Sequence, residues 1–444
     1  MAIYCTPDLT RIKKYFSAWG NFPIKFGDLY KLKTVKEIQS FLFKKKSFIP
    51  VGNFRSYGDC ALNKTMVKYD PNKTIQINKR KQIAFVSANV LIGDLIEKTM
   101  PLGLFPAVVP GTKFITIGGA IAADIHGKNH HIDGSFSDHI LSFKMITNDG
   151  RTVECNRKNN QELWKLTCGG MGLTGIIVSA ILKLKKVNSS TILQKTIKTS
   201  SINELFDCFE NYNEDPFSVA WVDCTAKNKS IGRGIFMSGK FLENPIGMRY
   251  RVHKKQKFSI PFLLPKILLN SFTIKLFNSM YYLFSKNSKT GRQVNYDKFF
   301  FPLDKIKNWN RIYGDAGFLQ YQFVLPKSSS YQGIKSILKL VSQFGGGPTL
   351  AVLKLFGKQN QNYLSFPMEG YSLALDFKNS QKTQELLNKL DLIVNENHGR
   401  IYLAKDSRIR KKFFENGYPL FDTFKKRIKN QNNIQSFQFQ RLSK

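Results

Sequence analysis

Residues 110–131 read PGTKFITIGGAIAADIHGKNHH, and this stretch decides the fold. It holds Gly111, then the pair Gly118-Gly119, then His126-Gly127, with small apolar residues between. Glycine lets backbone approach a ligand closely, and successive backbone N–H groups form concave nests that hold phosphate. Two further glycine-bearing segments flank it: PVGNFRSYGDCALN at 50–63 and GGMGLTGII at 169–177. The spacings match neither a Walker P-loop nor the G-x-G-x-x-G of a dinucleotide fold. One such segment alone would read as tight turns in a β-rich chain. Three in this order, flanked by strands, are a much more specific signal.

The surroundings read as mixed α/β. Ile75 and Ile77, then Ile83 and Phe85, alternate as strands. Ile92, Leu95, Ile96, Thr99 and Met100 recur at helical spacing, with Gly103 as the stop. A hairpin follows: ILSFKMIT, the turn Asn148-Asp149-Gly150, then RTVECN. Asn159 or Asn160 caps a helix through Leu166, and Ile176–Leu184 forms a strand. After Val187 come SVAWVDC, FLQYQFVLP, TLAVLKLFG and YSLALDF. Alternation puts Gln320 and Gln322 on one strand face, and Lys354 with Phe356 on another. Such a sheet is either a pocket wall or a solvated outer face, and periodicity alone leaves both open. A helix around Leu386–Asn397, the turn His398-Gly399 and a strand RIYLAKD complete the pattern.

The chain has 444 residues, 42% hydrophobic and 22% charged, as a globular protein with a large core requires. Its 68 Lys+Arg against 31 Asp+Glu give a net charge of +37. Such an excess attracts anions, although a genomic bias toward Lys, Asn and Ile accounts for it equally well. A basic nucleic-acid-binding protein is the minority non-enzyme alternative, and nucleic acid is not expected as a partner, because the basic residues gather on no single element and no binding signature is present. The six cysteines are scattered without a C-x-x-C pair, which implies no metal site and a reducing compartment. His130, His131 and His139 read as structural. The N-terminus lacks an apolar core for a signal peptide. Residues 258–284 are rich in Leu, Phe and Ile but broken by Pro261, Pro265, Lys266 and Lys275. They read as a buried or substrate-covering pair of helices, or as a basic apolar element lying on lipid.

RSYGD, then PGT-x(5)-GG-x(6)-HG, then GG-x-GLTGII resemble the FAD-binding domain of the vanillyl-alcohol-oxidase, or PCMH-type, flavoenzymes. GGAIAADIHGKNHH, WNRIYGDAGFLQYQFV, LKLFGKQNQNYLSFP and IYLAKDSR resemble, more narrowly, the decaprenylphosphoryl-β-D-ribose 2′-oxidases. The likeness runs from about Pro50 to Arg408. It implies an α+β fold in which residues 1–187 and 400–444 form the FAD-binding domain. A substrate-binding domain with an antiparallel sheet would span 188–399.

The resemblance also assigns residues. Pro50, Val51, Gly52, Asn53, Phe54, Arg55, Ser56, Tyr57, Gly58, Asp59 and Cys60 would cradle the FAD pyrophosphate, continued by Gly111, Thr112, Thr116, Ile117, Gly118 and Gly119. His126, Gly127, Lys128 and Asn129 would lie along the flavin, with Ile177 and Tyr402 completing its contacts. Lys405 would be catalytic, near the reacting hydroxyl. Trp221, Gln320, Gln322, Lys354, Phe356 and again Lys128 would line the substrate side. The family departs from this chain at Phe54, where relatives have glycine, and at Ala374, where mycobacterial relatives have cysteine. Close relatives hold FAD non-covalently although His126 matches a position of covalent attachment in the wider family.

The implied reaction is oxidation of the 2′-hydroxyl of a polyprenylphosphoryl pentose, for cell-envelope arabinose formation. A separate NAD(P)H-dependent short-chain reductase would complete the epimerisation. The alternative within the fold is an aldonolactone or sugar-alcohol oxidase using oxygen. A cytoplasmic place, peripheral on the acidic inner membrane face, is the expectation. Moving a hydride to a flavin leaves a proton to be placed, and a lysine accepts one only if its pKa falls from about 10.4 toward neutrality. Burial near Lys128 and Lys354 would push Lys405 that way. The other reading keeps Lys405 charged, stabilising a developing alkoxide.

Overall fold

The computed structural model describes residues 10–44, 47–244, 250–252, 258–263, 265, 269–345, 347–431 and 433–443. Alternating apolar residues and glycine-rich turns build three larger sheets and one short parallel pair. The first sheet joins Thr10–Phe16, Lys25–Leu32, Thr65–Tyr69 and Ile49–Pro50. The second runs Ile75–Asn78, Ile83–Ser87, Ile176–Lys186, Ile140–Ile146 and Thr152–Asn156, and Leu104–Pro106 pairs with Ile176–Lys186. Its hairpin and its helices Ile92–Thr99 and Gln161–Thr167 lie where the hydrophobic pattern puts them. Gly103, at φ 71°, ends the short helical turn Met100–Leu102 that follows the first helix, and Asn160 stands at the N-cap of the second at φ 54°.

The third sheet has eight strands, all antiparallel. Its order is Ser288–Asn295, Thr191–Thr199, Gly234–Phe241, Phe217–Val222, Leu350–Phe356, Gly370–Lys378, Phe318–Pro326 and Arg400–Ile401. Leu319, Tyr321, Phe323 and Leu325 turn one face of it into the main core, where they meet Ile334, Ile337 and Leu338 of helix Lys327–Gln343. Leu386, Leu387 and Leu390 of helix Gln381–Glu396 join them there. The opposite face carries Gln320 and Gln322. Register aligns Gln320 with Asp376 and then Leu350, and Gln322 with Ala374 and then Val352.

The segment RIYLAKD departs from its expected form. Only Arg400–Ile401 is strand. The chain then curls, with Lys405 N and Asp406 N both donating to Tyr402 O at 2.9 and 3.1 Å. The turn breaks the alternation, and it lets the side chain of Lys405 enter a cleft while Asp406 meets Arg441. After it, the C-terminus runs back along the first glycine segment. Arg441 Nη2 lies 3.1 Å from Asp59 Oδ1 and 2.8 Å from Asp406 Oδ2. Among the described residues, no helix is long and apolar enough to cross a membrane.

Candidate active site

A cleft of about 530 Å³ separates the glycine segments from the polar face of the eight-stranded sheet. Pro50–Tyr57 and Cys60 line one end, with Gly111, Thr112, Thr116, Gly118 and Gly119 beside them. Glycine is required where these loops touch. A Cβ on Gly52 would lie 2.4 Å from Thr116 Oγ1, and one on Gly58 only 1.7 Å from Asp406 O. Phe54 takes a left-handed φ of 50°, the conformation a glycine adopts freely, and its ring stacks on Phe16 at 6.0 Å. Ring packing thus accompanies the backbone conformation at the position where the relatives' glycine is absent.

The loop's polar groups suit a diphosphate. Among the described residues, the backbone N–H groups of Gly52, Asn53, Phe54, Arg55 and Ser56 donate to no other backbone group. A run of free amides turned by one left-handed residue is an anion-binding nest. The Arg55 guanidinium lies 3.9 Å over the Trp19 ring and 5.4 Å from the Phe114 ring centre, and its Nε is buried without a partner. Burial lowers its pKa, with Asp304 opposing that. Helix Ile117–Ala122 stands behind this loop, and its cap, Thr116 Oγ1, accepts from Gly119 N at 3.1 Å.

Further along the cleft, His126 is held between the rings of Phe356, Tyr402 and Phe366 at 4.8, 5.1 and 5.5 Å. Its Nε2 lies 3.0 Å from Gln322 Nε2, and its Nδ1 is buried without a partner. Burial, then Lys354, His130 and Lys405, hold its pKa well below the usual histidine range, so the imidazole is neutral. Ile177 and Tyr402 also face the cleft. An anion-binding nest at one end of the cleft and an unpartnered ring nitrogen further along it fit FAD as the bound group.

The opposite wall concentrates charge. Lys405 Nζ sits 3.5 Å over the Tyr57 ring. Burial pushes Lys405 down to about 7, Asp376 pulls it upward, and Lys354 lowers it again. Asp376 is itself buried and pushed up to about 6, against its hydrogen bond from Gln320 Nε2 at 2.6 Å and the charge of Lys405. Its second oxygen, Oδ2, has no partner. Lys128 is lowered to about 7 by burial and by Lys354, while its ammonium reaches Phe299 O. Lys354 is lowered to about 8 by burial alone. Trp221 lines the same wall, edge-on to Tyr281 at 4.9 Å.

Most of the residues marked in the sequence therefore meet in one cleft, and six stand behind its surface. Gly58 and Asp59 join the first glycine segment to the C-terminus, through Asp406 O and Arg441 respectively. Ile117 is fully buried. Asn129 donates to Ala107 O and Asp133 Oδ2, and a Cβ on Gly127 would strike its Oδ1. Phe356 backs His126 and His130. His130, His131 and His139 bond to Ser135 Oγ, Asp215 O and Asp133 O.

Sequence reasoning missed Asp376, the carboxylate facing Lys405. The signal was present, since Asp376 is two residues from Ala374 and shares its strand face. Trp19 and Asp304 were missed too, and they lie in stretches without a distinguishing pattern.

Residues 32–156 match the FAD binding domain family. Decaprenylphosphoryl-beta-D-ribose oxidase of Mycolicibacterium smegmatis is 34% identical over 393 residues, 85% of this chain and 84% of that protein. An uncharacterised protein of Streptomyces coelicolor is 28% identical, covering 76% of this chain and 94% of its own length. L-gulonolactone oxidase of Scyliorhinus torazame is 25% identical over only 34% of this chain and 35% of its own. The cleft and these likenesses define an FAD-dependent oxidoreductase with a PCMH-type FAD-binding domain. Within that class the chain belongs to the decaprenylphosphoryl-β-D-ribose oxidase family.

Proposed function

We propose that the protein oxidises the 2′-hydroxyl of a polyprenylphosphoryl pentose to a ketone. The observation that carries the reading is Lys405, a buried amine lowered to about 7 that lies over the Tyr57 ring, lines the cleft and feels the charge of Asp376. The long likeness to an oxidase named for decaprenylphosphoryl ribose supplies the substrate class.

When bound, FAD supplies the two-electron acceptor for the hydride leaving the carbinol carbon. The neutral Lys405 amine takes the hydroxyl proton, so the C–H and O–H bonds break and a C=O bond forms. Asp376 steadies the ammonium that results. Gln320, held by Asp376, and Gln322, near His126 and Ser372, orient the sugar through their remaining hydrogen-bonding capacity. Lys354, lowered only to about 8, keeps most of its charge near neutrality and opposes the phosphate. Residues 50–60 and 111–119 hold the FAD diphosphate, without covalent attachment at His126.

The keto sugar passes to a separate NAD(P)H-dependent short-chain reductase, and the oxidase works peripherally on an acidic cytoplasmic membrane face. Oxygen-dependent aldonolactone oxidation has weaker support, since the lactone oxidase likeness spans about a third of either chain.

The test is to mix FAD-loaded protein anaerobically with a polyprenylphosphoryl pentose and follow flavin absorbance. Bleaching, with a product two mass units lighter that borohydride reduces to two epimers, is the expected result. Bleaching by aldonolactones alone would overturn the reading.

A further inference from the structure

The helix Ser271–Phe284 is turned inside out relative to an ordinary surface helix. Asn270 caps it, its Oδ1 accepting from Phe272 N and Thr273 N. A narrow inner stripe at i, i+4 and i+8 fastens it to the body of the protein. Ile274 is buried, Asn278 Nδ2 donates to Asp223 Oδ1 at 2.9 Å, and Tyr282 OH donates to Thr199 O at 3.2 Å. The outer side is apolar and open to solvent: Phe272 is 74% exposed, Leu283 69% and Phe284 76%, with Leu276 and Met280 also exposed. Phe258 and Phe262 add to the exposed apolar surface of this region of the chain. Soluble proteins seldom leave a run of large apolar groups uncovered, and one that persists marks a contact surface.

Charge selects what covers it. Residues 250–307 contain 12 Lys and Arg against two acidic residues, Asp297 and Asp304. Both aspartates are buried, so they do little to neutralise the surface. Lys275, Lys286, Lys289 and Arg292 are exposed on or just after the helix. Two copies of such a face would repel one another, whereas an anionic lipid surface attracts it. Position adds a third argument: Phe277 and Tyr281 of the same helix line the cleft, and Tyr281 packs on Trp221.

We infer that helix Ser271–Phe284 docks the enzyme on an anionic bilayer, its apolar side among the acyl chains and its cations among the headgroups, with the cleft mouth facing the lipid. A lipid-linked sugar could then enter without its chain crossing water. The purpose of the docking rests on the proposed function, but the docking itself is measured without substrate.

The experiment uses FAD-loaded protein and sedimenting vesicles of phosphatidylcholine, with or without phosphatidylglycerol. The protein should pellet with the anionic vesicles and be partly released by salt. The triple variant F272S/L283S/F284S removes three exposed apolar side chains and should lower partitioning about a hundredfold while keeping the flavin spectrum. Should that variant lose its flavin, K275E/K286E/K289E serves instead, and it should lose the preference for anionic vesicles. Absent sedimentation of the wild type, or a folded variant that sediments like wild type, overturns the inference. So does a wild-type dimer in analytical ultracentrifugation that the triple variant abolishes. A wild type that fails to sediment with anionic vesicles yet oxidises a short-chain polyprenylphosphoryl pentose refutes the docking alone. Intact docking without oxidation refutes the proposed function alone.

Discussion

The proton-accepting role of Lys405 predicts a pH dependence of definite sign and size. Its folded pKa is about 7, and the neutral amine is the active form, so activity is present above pH 7 and is lost as pH falls through 7. The neutral fraction is about 91% at pH 8 and about 9% at pH 6, a decline in kcat/KM of about tenfold. Anaerobic stopped-flow reduction of the bound flavin isolates this half-reaction. Lys405→Met should lower its rate by roughly a hundredfold to ten-thousandfold and abolish the acidic limb. Asp376→Asn supplies a sharper check, because that carboxylate raises the pKa of Lys405. Removing it should move the limb to lower pH, so the variant keeps more of its maximal rate at pH 6 than wild type does. Lys128 is also lowered to about 7, so Lys128→Met is the control that should retain the limb. A wild-type profile flat from pH 6 to 8, or an Asp376→Asn limb displaced upward, would refute the assignment.

Three further perturbations test the scaffold. Phe54→Gly should be more stable than Phe54→Ala by about 1 kcal/mol, since alanine keeps the left-handed strain and neither keeps the stack on Phe16; equal denaturation midpoints would contradict this. Asp124 is buried and accepts from Ser137 N, Asn360 Nδ2, Asn362 Nδ2 and Ser365 Oγ, so Asp124→Ala should cost about 3–5 kcal/mol in chemical denaturation. A loss under 1 kcal/mol would show that water replaces the carboxylate. Arg55→Ala removes the guanidinium over Trp19 and should weaken FAD retention about tenfold or more, read by flavin fluorescence after dilution. Unchanged retention would remove Arg55 from the cradle.

Much of the site was legible because its signals are local. Glycines at 52, 118 and 119 mark backbone that passes close to neighbouring side chains, Thr116 and Ala88 among them. Strand alternation put Gln320 with Gln322 on one face, and family likeness singled out Lys405 from many lysines. Alternation reports that two side chains share a face and leaves open what covers it. Folding settled that question by turning Gln320, Gln322 and Lys354 toward the glycine loops.

The amino-acid sequence by itself determined the order of the glycine segments and which strand residues share a face, because backbone conformational freedom and side-chain periodicity act over a few residues. The α+β class and the wall residues, Lys405 among them, came from the resemblance of its motifs to a known family. Tertiary structure alone decided that Asp376 faces Lys405, that Arg441 ties Asp59 to Asp406, and that the apolar side of helix Ser271–Phe284 is exposed. Desolvation and Coulomb interaction depend on distance through space, and strand register and chain reversal bring together residues far apart in the chain.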